Sequence, residues 1–489
     1  MKNRTMMFPG FHLSTLRRTP RSVRQKLAEE QARIRRHSLI GLGTCFRRFL
    51  PTTCFAQQKE GPFSRRRLFS KENIFWAFFS QILDADGGCR EVVRKLQALA
   101  ASKERPIPSS STAAYCQARN KLDEPFLEAI LNDTGDRLHK HGREQRWKQR
   151  RVIVVDGTGV SMADTPDNQS AWPQPNNQKP GCGFPQANLC ACFCLTTGAL
   201  LSYRIGSRKQ HELSLLRQQW DTFEAGDVML GDKGFCSYYD VSQFQQRHVD
   251  CVFTLARRTP VEAADAIKVL GPDDFLIQWP KPPWNKVLSY SKAAWATLPE
   301  QVTLRQIKVT IEAPGFRTNS FYLITTLTDP AAYSAAELAD LYYRRWDVEL
   351  FLRDLKTTMG MDILRCRTPA MVRKEISMHL IVYNSLRFLM LDAAKASQKT
   401  PRRISFKATM QALRHWAPQL SSADLSALQC RHLLATLQRS IAQTTVPERP
   451  GRREPRCVKR RPKPFSLLTK PRHQFVEAPH RGRYRAKAA

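Results

Sequence analysis

Apolar residues recur along this chain with two periods, and the change between them divides it into three regions. From Met1 to about Lys148 the spacing is helical. A charged helix is expected near Ser22 to Arg36, with others over about Lys71 to Asp84, Gly88 to Ser102, Ser111 to Lys121 and Pro125 to His141. Ser109, Ser110, Ser111 and Thr112 supply capping residues ahead of one of them. Short helices rich in Arg and Lys fit either a helix-turn-helix or a layer packed on the rest of the chain.

From about Arg151 to Met371 the pattern shortens to that of strands. Arg151 to Asp156 reads R-V-I-V-V-D, a β-branched run ending in an acid, as expected of a buried strand. Ala187 to Thr196 and Ala199 to Ile205 form a hairpin around Thr197-Gly198. A helix over His211 to Phe223, a strand at Asp227 to Asp232, a helix at Tyr238 to Arg247 and a strand at Cys251 to Leu255 follow. Strands and helices in this order suit a mixed sheet with helices on its faces. About Arg257 to Thr328 is Pro-rich and all-β, with strands at Phe275 to Trp279, Val302 to Ile311 and Phe321 to Thr326, and reads as an insertion. A long helix over Ser334 to Met359 carries no internal Pro or Gly, and the helical pattern resumes from Ala370 to Ala396. From about Pro401 the chain starts helical and ends, over Pro447 to Ala489, in a basic Pro-rich tail with V-K-R-R-P-K at Val458 to Lys463.

Charge adds a partner to this picture. Lys plus Arg is 78 and Asp plus Glu is 43, a net charge of 78 − 43 = +35. Such an excess points to a polyanion, because Lys and Arg displace the counterions condensed on nucleic acid. No apolar run is long enough to span a bilayer, and no h-region precedes Arg17, so a cytoplasmic protein is expected. The 13 cysteines include no C-x-x-C pair, which argues against structural zinc. Cys190, Cys192 and Cys194 alternate along one strand and are expected to be buried thiols.

Asp156 and Asp232 each close an expected strand, and Gly157 and Gly234 follow them. Catalytic groups in α/β sheets gather at the carboxyl ends of strands, and glycine lets a backbone come close to a phosphate. An Asp at a strand end is also an ordinary turn residue. Asp164, Asp167 and Asp227 compete for the same role. On the long helix, Tyr342, Arg345, Glu349 and Lys356 are spaced by three, four and seven. At about 100° per residue they fall within a sector of roughly 60°. Asp347 points elsewhere. The plain alternative is an Arg345–Glu349 surface pair, worth only ~0.3–0.5 kcal/mol. Asp156, Asp232 and Glu349 together could hold two divalent cations of the hard kind, such as Mg²⁺, for in-line displacement at phosphorus. Arg345 and Lys356 would then bind flanking phosphates, and Tyr342 a phosphate oxygen.

With these residues in place the chain resembles a DDE transposase of the IS-four family of bacterial insertion sequences. Tyr342, Arg345, Glu349 and Lys356 match that family's Tyr-x2-Arg-x3-Glu-x6-Lys signature at every spacing. V-V-D-G-T at Val154 to Thr158 and G-D-K-G-F at Gly231 to Phe235 are similar to its first- and second-acid motifs, though Lys233 stands where Arg is common. The likeness covers about Lys121 to Arg472.

The resemblance implies an α/β, RNase H-like catalytic core with a β-rich insertion, flanked by helical N- and C-terminal regions. It divides the chain into a basic, DNA-binding helical region 1–148, a catalytic domain 149–371 with its insertion at about 257–328, and a C-terminal region 372–489. It implies catalytic, metal-binding Asp156, Asp232 and Glu349 with two Mg²⁺ ions (or Mn²⁺), and double-stranded DNA as partner of a homodimer. It also implies strand cleavage and transfer at terminal inverted repeats. Trp279 and Trp284, by the same likeness, are candidates for stacking on a flipped base. Against this stand two other readings: a simple Mg-dependent endonuclease, and an inactive, transposase-derived DNA-binding protein.

Overall fold

The computed structural model describes residues 38–475, apart from 47, 51, 57–59, 65–67, 85, 103, 256–259, 286–289, 311–319, 422–424 and 448–466. The basic opening at Arg17 to Arg24, the helix expected at Ser22 to Arg36 and the V-K-R-R-P-K run lie outside the described residues.

The strands are β1 (Val152–Met162), β2 (Gln186–Cys194), β3 (Leu200–Ser207), β4 (Val228–Leu230), β5 (Asp250–Thr254), β6 (Lys268–Gly271), β7 (Asp274–Pro280), β8 (Gln301–Thr310), β9 (Ser320–Thr325) and β10 (Ile363–Leu364). They form one mixed sheet in the order β3-β2-β1-β4-β5-β9-β8-β7-β6, with β10 paired to β1. β1 to β3 are an antiparallel meander, whereas β4 and β5 add in parallel to β1. The β-rich stretch is continuous with this sheet, because β9 pairs antiparallel with β5. β6 is the strand the sequence pattern does not announce: its Lys268 and Val269 are exposed at the sheet's edge.

The helices, in chain order, are α1 (Ser38–Phe46), α2 (Lys71–Leu83), α3 (Cys89–Ser102), α4 (Ala113–Asn120), α5 (Glu124–His141), α6 (Pro166–Ala171), α7 (Glu212–Leu216), α8 (Tyr238–Gln246), α9 (Lys292–Ala296), α10 (Ala335–Tyr343), α11 (Asp347–Arg353), α12 (Pro369–Ala396), α13 (Phe406–Trp416) and α14 (Ala427–Gln443). Their starts follow local chemistry: the hydroxyls of Ser70, Ser334, Thr368 and Ser426 each accept an amide of the first turn. Among the described residues no helix is long and apolar enough to cross a membrane.

α12 is the interior helix. Every residue from Ile376 to Arg387 is buried, and α2, α5, α13 and α14 all pack on it. An apolar helix with no solvent face is stable only when surrounded in this way. It also covers the edge strand β3. Asn384 accepts from the Leu200 amide at 2.9 Å and donates to the Leu200 carbonyl at 3.0 Å, both wholly buried. A division of the chain at 371/372 falls inside this one helix.

The helix expected over Ser334 to Met359 is not one regular helix. Arg344–Trp346 tightens to a 3₁₀ turn between α10 and α11, and Asp354–Thr358 widens to a π turn. The helix expected at His211 to Phe223 is likewise the short α7 followed by a 3₁₀ stretch, Arg217–Thr222, in which Gln219 leaves helical geometry. Gln219 turns inward, accepts from the Ser202 hydroxyl at 2.7 Å and donates to the Leu215 carbonyl at 3.1 Å.

Candidate active site

Ion pairs set the heads of the central strands. Arg151 precedes β1 and donates to both carboxylate oxygens of Asp227, which precedes β4, at 2.8 and 2.5 Å. Arg150 reaches Asp250, at the head of β5, at 2.5 Å. From these heads β1 and β4 run parallel, with Val152 against Val228 and Val154 against Leu230. β4 ends there. Asp156 and Asp232 each follow that last pair by two residues, and the Asp156 carboxyl feels the Asp232 charge.

β1 does not end with Asp156, as the sequence suggested; it runs on to Met162. β2 keeps pairing with it, placing Asp156 against Ala191, which is why the strand survives Gly157 and Gly159. On the other side, β10 takes up the pairing only at Ser161 and Met162. Among the described residues, 155–160 therefore have no strand partner on that side. Asp156 and Thr158 share one face of the strand in this opening. The Asp156 carboxylate accepts from the Gly157 amide at 2.8 Å. Asp232 accepts from the Gly234 amide at 2.7 Å, capping the turn Lys233–Phe235.

α10 and α11 bring the remaining groups. Tyr342 is buried, its hydroxyl 3.1 Å from that of Thr254 at the end of β5. The Arg345 guanidinium lies 5.7 Å from the centre of its ring. Arg345 is also 4.0 Å from Glu349, and among the described residues its buried Nε has no hydrogen-bond partner. Glu349 is 64% exposed, so only Arg345 restrains its charge. Lys356 donates to Thr158 at 2.9 Å, inside the β1 opening. The 3₁₀ and π turns do not scatter the stripe: Tyr342, Arg345 and Lys356 all reach strand ends or the acids.

Burial pushes the Asp156 carboxyl above its ordinary range. The negative charges of Asp232 and Glu349 push the same way, against the Gly157 amide and Arg345. Asp156 is thus within electrostatic reach of both Asp232 and Glu349, although among the described residues no three His, Cys, Asp or Glu side chains are gathered closely enough to hold a metal ion. The donors nevertheless suit a divalent cation in kind. They are hard carboxylate oxygens, and among the described residues neither Asp156 nor Asp232 has a Lys or Arg ion-pair partner.

The competing acids are otherwise engaged. Asp227 holds Arg151. Asp164 is bound by Arg472 at 2.6 Å, which clasps the described end of the chain onto the loop after β1. Asp347 is buried beside Arg402 at 3.1 Å. Asp167 lies in the first turn of α6.

Trp279 offers no open face. It is 8% exposed and packs edge-on against Tyr238, ring centres 5.6 Å apart. Trp284 is half-buried against the same core. Cys190, Cys192 and Cys194 are buried free thiols on β2; burial lifts the Cys192 thiol to about 12. The sequence reading passed over one acid. Glu212, first residue of α7, feels the charges of Asp156 and Asp232. Its one signal in the sequence is Gly157, whose missing side chain makes room for it.

The sequence matches known proteins of one class. Residues 147–385 match the family model described as Transposase DDE domain. Over 432 residues the chain is 25% identical to the transposase InsG for insertion sequence element IS4 of Escherichia coli (strain K12), covering 87% of this chain and 93% of that protein. A solved structure, the cryo-EM structure of a piggyBac transposase synaptic complex with hairpin DNA, is similar at TM-score 0.42 and 10% identity, covering 83% of this chain and 86% of that one. By these matches the chain is similar to DDE transposases of the IS4 family. A transposase DDE domain implies an enzyme of DNA transposition that cleaves and joins DNA strands, typically with divalent metal ions.

Proposed function

We propose that Asp156, Asp232 and Glu349 form one metal-binding catalytic centre on an RNase H-like core. On this reading the chain binds the terminal inverted repeats of an insertion sequence, then cleaves DNA there and transfers the strand. The observation that carries it is that the Asp156 carboxyl feels both Asp232, which like Asp156 lies two residues past the last β1–β4 pair, and Glu349.

Two Mg²⁺ ions, or Mn²⁺ in their place, would supply activation of the attacking water or 3′-hydroxyl and stabilisation of the leaving 3′-oxygen. The three carboxylates hold them. Arg345, whose guanidinium lies near Asp156 and Glu349, binds a flanking phosphate oxygen. Tyr342 lies under Arg345 and orients it. Lys356 binds a second phosphate from its perch on Thr158. Trp284, half-buried rather than enclosed, keeps the stacking role better than Trp279.

The charge of +35 serves double-stranded DNA, both element ends and target. The basic helical region 1–148 and the tail in 372–489 bind it outside the catalytic region 149–371. Two ends must be brought together, so the working form is a homodimer, acting in the cytoplasm.

The loose spacing of the acids favours a second reading, an inactive transposase-derived DNA-binding protein. Purified protein is incubated with DNA carrying the flanking inverted repeats, with and without Mg²⁺. Cleavage followed by joining supports the proposal. Nicking without joining supports an endonuclease, and binding without cleavage the inactive form.

A further inference from the structure

We infer that Cys89 and Cys116 are a redox pair, closed into a disulfide by exchange with a low-molecular-weight disulfide such as that of glutathione. The bond staples α3 to α4 in the helical layer ahead of the catalytic residues. This inference does not depend on the metal-centre reading.

Cys89 opens α3, and Cys116 lies in the first turn of α4. α2 packs on both helices and holds them side by side. The two sulfurs are 3.9 Å apart, in van der Waals contact, although their residues are 27 apart in the chain. Both thiols are half-buried, so a small reagent reaches them, whereas Cys190, Cys192 and Cys194 on β2 are sealed. A disulfide needs the sulfurs to close to about 2.05 Å. From contact, small turns about the side chains' own bonds supply that approach.

The groups around the pair favour the exchange. Gln81 on α2 accepts from the Tyr115 hydroxyl at 2.7 Å and from Arg119 at 2.8 Å. With its carbonyl held by two donors, its amide nitrogen is turned toward the Gly87 carbonyl at 2.8 Å and the Cys89 sulfur at 3.5 Å. An N–H aimed at sulfur suits the thiolate, the form that attacks a disulfide. Cys116 is less ready: burial and the neighbouring Cys89 raise its thiol, against the Arg119 charge. Cys89 therefore attacks first. Its thiolate bonds to one sulfur of glutathione disulfide, whose S–S bond breaks and releases one glutathione thiolate. Cys116 then gives up its proton and attacks the Cys89 sulfur, expelling the second glutathione thiolate. Two protein thiols are oxidised, and one glutathione disulfide is reduced to two thiols that take up the released protons. In a reducing compartment such a bond is transient, forming when the pool of small disulfides rises.

The test uses the full-length chain, first reduced and then equilibrated with glutathione disulfide. Peptide mapping without reductant is expected to find Cys89 linked to Cys116. The melting temperature is expected to rise by a few degrees and to return with dithiothreitol, since the cross-link restricts the unfolded chain. Cys116→Ser lacks the second thiol, so it is expected to keep one glutathione on Cys89 and to show no such rise. The parent's peptide map decides the matter if a variant does not fold. The inference fails if Cys89 and Cys116 stay thiols, carry glutathione separately or link to other cysteines. A linked pair without the rise in melting temperature overturns the staple. Glutathione on Cys116 in Cys89→Ser, with none on Cys89 in Cys116→Ser, contradicts the order of attack.

Discussion

Arg151 and Asp227 form a two-point ion pair, each about 5% exposed, one residue ahead of the parallel pair Val152–Val228. The pair and the register share one offset, so the contact at the strand heads and the placement of Asp156 and Asp232, each two residues past the last strand pair, belong to one geometry. Removing Arg151 leaves Asp227 buried without its cation, and removing Asp227 leaves Arg151 only the longer 3.6 Å approach of Glu224. Arg151→Met or Asp227→Ala is therefore expected to cost roughly 3–5 kcal/mol of stability, read from denaturant midpoints. A loss within the range of a surface pair, about 0–1 kcal/mol, would contradict this role.

Asn384 is expected to matter for a different reason. Its amide satisfies both backbone groups of Leu200 on the edge strand β3. Asn384→Leu keeps the bulk and strands two buried polar groups, at about 1–3 kcal/mol each. The bared edge also invites pairing between chains. Light scattering of the variant near its melting point should show aggregation that the parent lacks; a variant as stable and as monodisperse as the parent refutes this.

His139 gives the fold a pH dependence. Burial, with Arg151 and Arg146 nearby, lowers it from 6.5 to about 4. The unfolded chain takes up this proton first on acidification. The contribution is complete above 6.5 and is lost as the pH falls toward about 4. His139→Gln is expected to narrow the parent's loss of stability over that window, measured as denaturant midpoints at several pH values. An equal loss in both proteins contradicts the assignment.

Lys356 should act on DNA rather than on folding. It donates a hydrogen bond to Thr158, and its stem is half-buried. Lys356→Met keeps the stem and removes the charge. Melting temperature should change little, and the salt slope of DNA binding should fall by about one phosphate contact. An unchanged slope places Lys356 away from the DNA backbone.

How much of this was legible beforehand depended on what carried each signal. α2, α3, α4 and α5 could be bounded closely because the apolar period holds over Lys71 to His141, whereas Thr112, the N-cap of α4, makes no side-chain capping bond. β1 was cut short at Asp156 because Gly157 and Gly159 look like a strand's end. Only pairing with β2 keeps the chain extended there, and pairing is not local. The breaks at Arg344–Trp346 and Asp354–Thr358 left no Pro or Gly in the sequence to announce them. Glu212 went unnoticed because it lies 56 residues from Asp156, being 212 − 156, and comes within reach of its charge only through the packing of α7. The stripe of Tyr342, Arg345, Glu349 and Lys356 was legible because its members share one helical segment. Asp156 and Asp232 needed the register of β1 and β4 to be told apart from other strand-end acids.

The central claim, that three acids from three elements act as one centre, meets its most direct test at Glu349. It is 64% exposed and among the described residues its one ion pair is the 4.0 Å contact with Arg345, so Glu349→Gln should leave the fold intact. The measurement is Mg²⁺-dependent cleavage of DNA carrying the flanking inverted repeats, by parent and variant of equal melting temperature and equal DNA affinity. The account predicts that cleavage by Glu349→Gln falls to background, as it should for Asp156→Asn and Asp232→Asn. A Glu349→Gln protein that cuts as well as the parent would show that the centre does not include this residue.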